Sequence, residues 1–396
     1  MSSQNPVFIP GPTNIPERLR HACNVPTIDH RSASFGAIFK PLFPGVKQVL
    51  KTRDGEVILF PATGTAGWEA AISNTLSPGD KVLACRHGMF SHRWIDMCKR
   101  HGLDVEQLTA PWGAGAPAAD FQAALEADRD HAIKAVLVTH NETATGVRSD
   151  IAAVRRAMDA AKHPALLLVD GVSSIGSMDF RMDEWGVDVA VTGSQKGFML
   201  PAGLAIVGVS PKALKAMETA TLPRCFLDFR DMLNTNPKGG FPYTPPVNLL
   251  YGLGESLRMI LDEEGLENVF ARHHRIAEGI RRGVSAWGLT LCARSPDLYS
   301  ETVSAVMVPE GFDGTKIVVH AADKYGVAFG VGLGDVAGKL FRIGHLGSLT
   351  DVMALSGLAA AEMVMADLGL PVTLGSGVAA AQDYYRGHPA ALSKAA

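Results

Sequence analysis

From about Glu56 to Val209, short apolar runs alternate with segments of helical period: Val57–Phe60, Val82–Cys85, Ala135–Thr139, Leu166–Asp170, Val187–Thr192 and Leu204–Val209. That alternation predicts a doubly wound α/β sheet. The runs are apolar at nearly every position, as strands covered by helices on both faces are, so all six are expected to be central and parallel. Between them, Ser149-Asp150 opens a helix over Ile151–Lys162, in which Ile151, Val154 and Met158 share one face and His163-Pro164 ends the pattern. A second helix is expected over Thr65–Leu76, closed by Ser77-Pro78-Gly79-Asp80.

Pro and Gly punctuation over Pro223–Pro246 then breaks the alternation and predicts a long functional loop or domain connection. Two long helical patterns follow (Leu249–Glu263 and Leu266–Trp287), then strand-like Leu289–Ala293 and Val303–Val308. A helix near Thr315–Tyr325, a strand Phe341–Gly344 and a helix Asp351–Leu368 complete a smaller α+β pattern. We expect an arm over 1–20, a large domain over 21–265 and a small C-terminal domain over 266–396.

Composition narrows the function classes. Among 396 residues, 37 Lys+Arg stand against 40 Asp+Glu, a formal net charge of −3, which leaves no basic excess for a run of phosphates and argues against nucleic acid as the main partner. Charge, turn residues or proline interrupt every apolar stretch before the roughly 20 residues of a membrane span. Met1–Pro10 has no basic stretch followed by an apolar one, and Ser393-Lys394-Ala395-Ala396 is not a peroxisomal signal, so a cytoplasmic location is expected. The cysteines (Cys23, Cys85, Cys98, Cys225, Cys292) are scattered, with no CxxC pair and no His at metal spacing. Neither a disulfide framework nor a metal site is expected.

Gly330-Val331-Gly332-Leu333-Gly334-Asp335-Val336-Ala337-Gly338-Lys339 has the look of a nucleotide loop but fails on spacing. Leu333 stands where a P-loop needs Gly, Leu340 where it needs Ser or Thr, and Asp335 where a dinucleotide fingerprint needs Gly. The polar residues at the predicted strand ends carry more, because doubly wound sheets bind ligands there. Asp170 ends one apolar run, and Thr192-Gly193-Ser194-Gln195-Lys196-Gly197 follows the next. Standing alone, the first reads as a cap and the second as an exposed loop lysine. Together they are the pair that pyridoxal phosphate uses: a lysine imine to the aldehyde, and a carboxylate that keeps the pyridine nitrogen protonated. Ala62-Thr63-Gly64-Thr65-Ala66-Gly67, at a strand end and a helix start, adds an anion site.

Six motifs in chain order resemble the class V aminotransferases of the fold-type I pyridoxal phosphate enzymes. They are Pro10-Gly11-Pro12-Thr13-Asn14-Ile15-Pro16, Thr27-Ile28-Asp29-His30-Arg31, Thr63-Gly64-Thr65, Thr139-His140-Asn141-Glu142-Thr143-Ala144-Thr145-Gly146, Asp170-Gly171-Val172-Ser173-Ser174 and Gly193-Ser194-Gln195-Lys196. Pro242-Tyr243-Thr244-Pro245-Pro246 and Phe341-Arg342-Ile343-Gly344 carry the likeness into the second half. The resemblance implies Lys196 as imine lysine and proton shuttle, and Asp170 at the ring nitrogen. It implies Thr143 at the phenolic oxygen, Phe90 and Val172 on the two ring faces, and Thr63, Gly64, Thr65 and Gln195 at the phosphate. Phe90 departs from the Trp that many relatives carry there. Tyr243 and Thr244 would reach the phosphate in the other subunit, implying at least a homodimer with shared sites.

Arg342 resembles the family's arginine for the substrate α-carboxylate. Within the class the chain resembles the group that uses glyoxylate as amino acceptor, with small amino acids and 2-oxo acids as substrates. Aspartate is the expected donor, since His30, Arg31 and Arg93, with His92, offer cations for a second carboxylate; serine and alanine are the alternatives. A more remote alternative, a class V lyase of the cysteine desulfurase type, needs a mobile nucleophilic cysteine, whereas Cys292 falls in an expected strand.

Overall fold

The computed structural model describes residues 6–389; Met1–Asn5 and the C-terminal Ser393-Lys394-Ala395-Ala396, on which the targeting expectations fall, lie outside the described residues. A seven-stranded sheet runs in the spatial order Glu56–Phe60, Ala205–Val209, Val189–Gly193, Leu166–Asp170, Ile133–Thr139, Lys81–Arg86, Asp104–Thr109. Alternate side chains feed two cores. Leu83, Val136, Leu167, Ala190 and Ile206 face one helix layer, and Val82, Ala135, Leu166, Val189 and Val207 face the other.

Two expectations about this sheet are corrected. Ala205–Val209 is antiparallel to both neighbours, not parallel. Segment 194–204 contains only turns, and a parallel return needs a crossover of a dozen or more residues. Glu56–Phe60 is an edge strand rather than a central one; it is apolar because Phe229 packs on Phe60 at 6.2 Å and covers it. Asp104–Thr109, at the opposite edge, escaped the sequence reading because its polar Asp104, Glu106 and Gln107 belong to an exposed edge, where charge discourages further pairing.

The loop expected over Pro223–Pro246 contains a helix, Phe229–Thr235, whose first turn Asp228 caps through the Arg230 N–H. Val247–Leu257 continues through a π-helical stretch Arg258–Glu264 into Leu266–Ala286. A four-stranded sheet follows in the order Val7–Phe8, Ala328–Val331, Leu340–Gly344, Val303–Met307, with its own core around Phe8, Ile276, Phe341 and Leu358. Leu289–Ala293 is not a strand. It meets Val303–Met307 through the single bridge Leu291–Val306 and then leaves, the Arg294 N–H turning to the Gly113 carbonyl at 3.0 Å. Among the described residues no helix is long and apolar enough to cross a membrane.

Register positions the site. Thr139 stands opposite Asp170, and Asp170 opposite Val191, so two parallel strands end level, the third runs two residues further to Gly193, and their exits cluster.

Candidate active site

At those strand ends lies a cavity of about 240 Å³. It is lined by Thr63, Gly64, Thr65, Phe90, Thr143, Asp170, Val172, Gln195 and Lys196, together with Gly11, Pro12, Trp68, Ser173 and Ala202. Several come from a strand end or the turn after it, while Trp68 and Phe90 stand on helices. Asp170 closes Leu166–Asp170, Gln195 and Lys196 follow Val189–Gly193, and Thr63 precedes the helix Gly64–Thr75. Phe90 stands in the first turn of the helix Met89–Arg100.

The Asp170 carboxylate accepts the Val172 N–H on Oδ1 at 3.0 Å. Burial pushes its pKa up to about 7, against that hydrogen bond, and the charge of Glu142 adds to the rise. Lys196 moves the opposite way, to about 8, because burial and then the nearby Arg342 charge disfavour its ammonium, while Asp170 favours it. Such an amine is far more available as a nucleophile near neutral pH than an exposed lysine. Its Nζ donates to the Pro10 carbonyl. Gly11, at φ +109°, leaves the room this takes: a Cβ there would lie 2.5 Å from Nζ.

The cavity fits pyridoxal phosphate on three observations. Gln195 Oε1 and Trp68 Nε1 are buried there without protein partners. The helix Gly64–Thr75 starts at the cavity with no side-chain cap on its free N–H groups, which favours an anion. Glycines let the walls approach closely: a Cβ on Gly64 would meet Val172 at 2.6 Å, and one on Gly193 would meet Gln195 Oε1 at 2.8 Å.

Four side chains brace the walls. Thr143 Oγ1 donates to Ser173 Oγ at 2.7 Å, which in turn donates to the Asn141 carbonyl at 3.0 Å. Glu142, fully buried, accepts the N–H groups of Phe90, Ser91 and Ala144 at 3.0–3.2 Å and fixes the start of the Phe90 helix. Arg342 reaches over from the small sheet, donating Nε to the Val331 carbonyl at 2.8 Å and Nη1 to the Thr143 carbonyl at 3.0 Å. It is only 6% exposed and forms no ion pair among the described residues, and burial lowers its pKa to about 10. A buried guanidinium held by carbonyls alone is suited to a carboxylate ligand.

The remaining predicted residues are not gathered by one chain. Arg93 is exposed, its guanidinium 5.5 Å from the centroid of the Phe90 ring. His30 and Arg31 line a separate groove with Lys40 and Lys238, and among the described residues no acidic side chain lines it. Thr244 is exposed, and the Tyr243 hydroxyl donates to Asp231 at 3.0 Å. Trp68 and Ser173 were not predicted as site residues. Trp68 reads as core in a helical pattern, and the signal that exposes it is tertiary, an indole N–H left without an acceptor. The thiols of Cys85 and Cys292 are pushed up by burial to about 12 and about 11, which makes both poor nucleophiles.

Comparison with known proteins agrees with this geometry. The family model described as aminotransferase class-V matches residues 17–339. An L-aspartate–glyoxylate aminotransferase of Paracoccus denitrificans is 70% identical over 396 residues, covering 100% of both chains. A serine–glyoxylate aminotransferase of Methylorubrum extorquens is 55% identical over 393 residues, 98% of each chain. The crystal structure of pyridoxamine–pyruvate aminotransferase from Mesorhizobium loti superposes with a TM-score of 0.90 at 28% identity, covering 97% of this chain and 98% of that one. The chain therefore belongs to the class V aminotransferases, with the fold-type I architecture and pyridoxal phosphate as cofactor.

Proposed function

We propose that the protein moves the amino group of L-aspartate to glyoxylate, giving oxaloacetate and glycine in two half-reactions. The observation that carries this reading is the full-length 70% identity to a relative named for that reaction. The 55% identity to a serine–glyoxylate enzyme supports serine as the second reading.

Pyridoxal phosphate, when bound, supplies the aldehyde that takes the amino group and the ring that accepts the electrons of the Cα–H bond. In our reading Lys196 Nζ would remove the Cα proton and deliver it two atoms along, at C4′, a task suited to an amine poised near 8. Asp170 holds a proton at the ring nitrogen. Phe90 and Val172 close the ring faces, and Thr143 serves the phenolic oxygen. Thr63, Gly64, Thr65 and Gln195 hold the phosphate, joined by Tyr243 and Thr244 of the partner subunit. Arg342 offers its guanidinium to the α-carboxylate. Arg93 beside Phe90, and His30 and Arg31 across a subunit boundary, are the cations we assign to the donor's second carboxylate, which must be paired once water is excluded. A homodimer in the cytoplasm is the form we propose, with arm 1–20 and domains 21–265 and 266–396; five free cysteines fit a reducing compartment.

The test is a donor panel with glyoxylate, comparing kcat/KM for aspartate, serine, alanine and glutamate in the parent, Arg31→Ala and Arg93→Ala. We expect aspartate to lead, and one variant to lose aspartate by roughly 100-fold while keeping a neutral donor. Serine leading, or both variants losing all donors alike, overturns aspartate in favour of serine.

A further inference from the structure

Trp68 lies one turn into the helix Gly64–Thr75, on the face that Gly64 and Thr65 present to the cavity, and is only 4% exposed. Its ring stacks on Trp94, with centroids 5.8 Å apart and planes at 21°. Trp94 follows Phe90 by one turn of its own helix, so the Trp68 indole is wedged between the wall that carries Phe90 and the cavity. Its Nε1–H is buried and meets no acceptor, a costly state for an indole unless an acceptor arrives.

Asp170 shares that cavity. Val172 is the one donor it has among the described residues. The Trp68 N–H lies near enough to lower its proton affinity, whereas the buried charge of Glu142 raises it. Lys196, the nearest cation, favours the ionised carboxylate only as long as its own amine is protonated.

We propose that Trp68 is a positioning residue for Asp170: its indole N–H donates to the Asp170 carboxylate and keeps it ionised, so that the proton shared with the cofactor's ring nitrogen rests on the nitrogen. A neutral donor stabilises the carboxylate without adding a charge that would compete with Lys196. The inference rests on Asp170 facing the ring nitrogen.

The experiment reconstitutes the enzyme with pyridoxal phosphate labelled with ¹⁵N in the ring and reads the nitrogen resonance, which separates protonated from unprotonated pyridine. The parent is expected to give the protonated signal. Trp68→Phe, which keeps the stack on Trp94 but removes the donor, should move it toward the unprotonated position, and Trp68→His, with a ring N–H, should move it part of the way back. Turnover of Trp68→Phe should fall on the order of tenfold in kcat with KM little changed. An unprotonated signal in the parent sinks the Asp170 reading itself; a Trp68→Phe signal identical to a protonated parent sinks the Trp68 proposal alone. Should the variants fail to fold, the parent apoenzyme decides. The Trp68 indole proton resonance should follow the titration of Asp170 and lose that response in Asp170→Asn; a resonance indifferent to pH overturns the proposal.

Discussion

The cavity at the strand ends and the Pro242–Pro246 segment differ in how much of their surroundings one chain provides. Around Asp170 and Lys196, residues distant in sequence converge because three parallel strands exit on the same side, and the glycines at 11, 64 and 193 keep the walls close without collision. Thr244, by contrast, stays on the surface of its own chain, and His30 and Arg31 line a groove apart from the cavity, with cations and, among the described residues, no acid. A residue whose chemistry is built by the sheet can be assigned within one chain. One whose partner is missing points outward, to another copy or to substrate.

The sharpest way to break that contrast is Lys196→Ala. If the cavity is the reaction centre, the variant folds and loses turnover by about 10⁴-fold or more, because imine formation and proton transfer vanish together. Borohydride treatment of the parent should fix a pyridoxyl group on the peptide containing Lys196. Turnover near the parent level would empty the cavity of its assigned role.

Sequence made this inner region readable because its signals are local. An apolar run ending in Asp170, another ending in a small-residue turn with Lys196, and a Gly/Thr helix start each announce a strand end. Direction and surroundings are not local. Nothing in the Leu204–Val209 run encodes that it returns antiparallel; the shortness of segment 194–204 decides it. Glu142 lay inside a recognised motif, yet its burial depends on N–H donors from Phe90 and Ser91, some fifty positions earlier in the chain. Trp68 had the spacing of a core residue, and core is what it packs against on one side.

Asp170→Asn sharpens the inner half of the comparison through stability. In the fold the carboxyl titrates near 7, against 3.8 for its ordinary value. Below 3.8 the folded and unfolded chains both hold the proton. Between 3.8 and 7 the unfolded chain releases it while the fold retains it, so the acid's contribution to stability falls as pH rises, by up to about 1.4 kcal/mol per unit, and levels off above 7. Denaturant unfolding of the apoenzymes should show Asp170→Asn gaining on the parent from pH 4 to 7 by a few kcal/mol. A difference that stays constant with pH would mean that Asp170 ionises freely and is not the desolvated group described.

The outer region is tested by Thr244→Ala, where the smallest effect is expected. An exposed threonine contributes little to its own chain, so melting of the isolated subunit should not move. If its hydroxyl completes the phosphate site of a partner subunit, the loss of one hydrogen bond should weaken cofactor binding by about tenfold. The parent should show the same weakening on dilution through the dimer dissociation range, since dilution removes the same group. The effects should then fail to add, because a monomer has no partner Thr244 left to lose. Cofactor affinity that is indifferent to both dilution and Thr244→Ala, with sedimentation showing a fully active monomer, would return the segment to an ordinary surface loop and place the whole phosphate site within one chain.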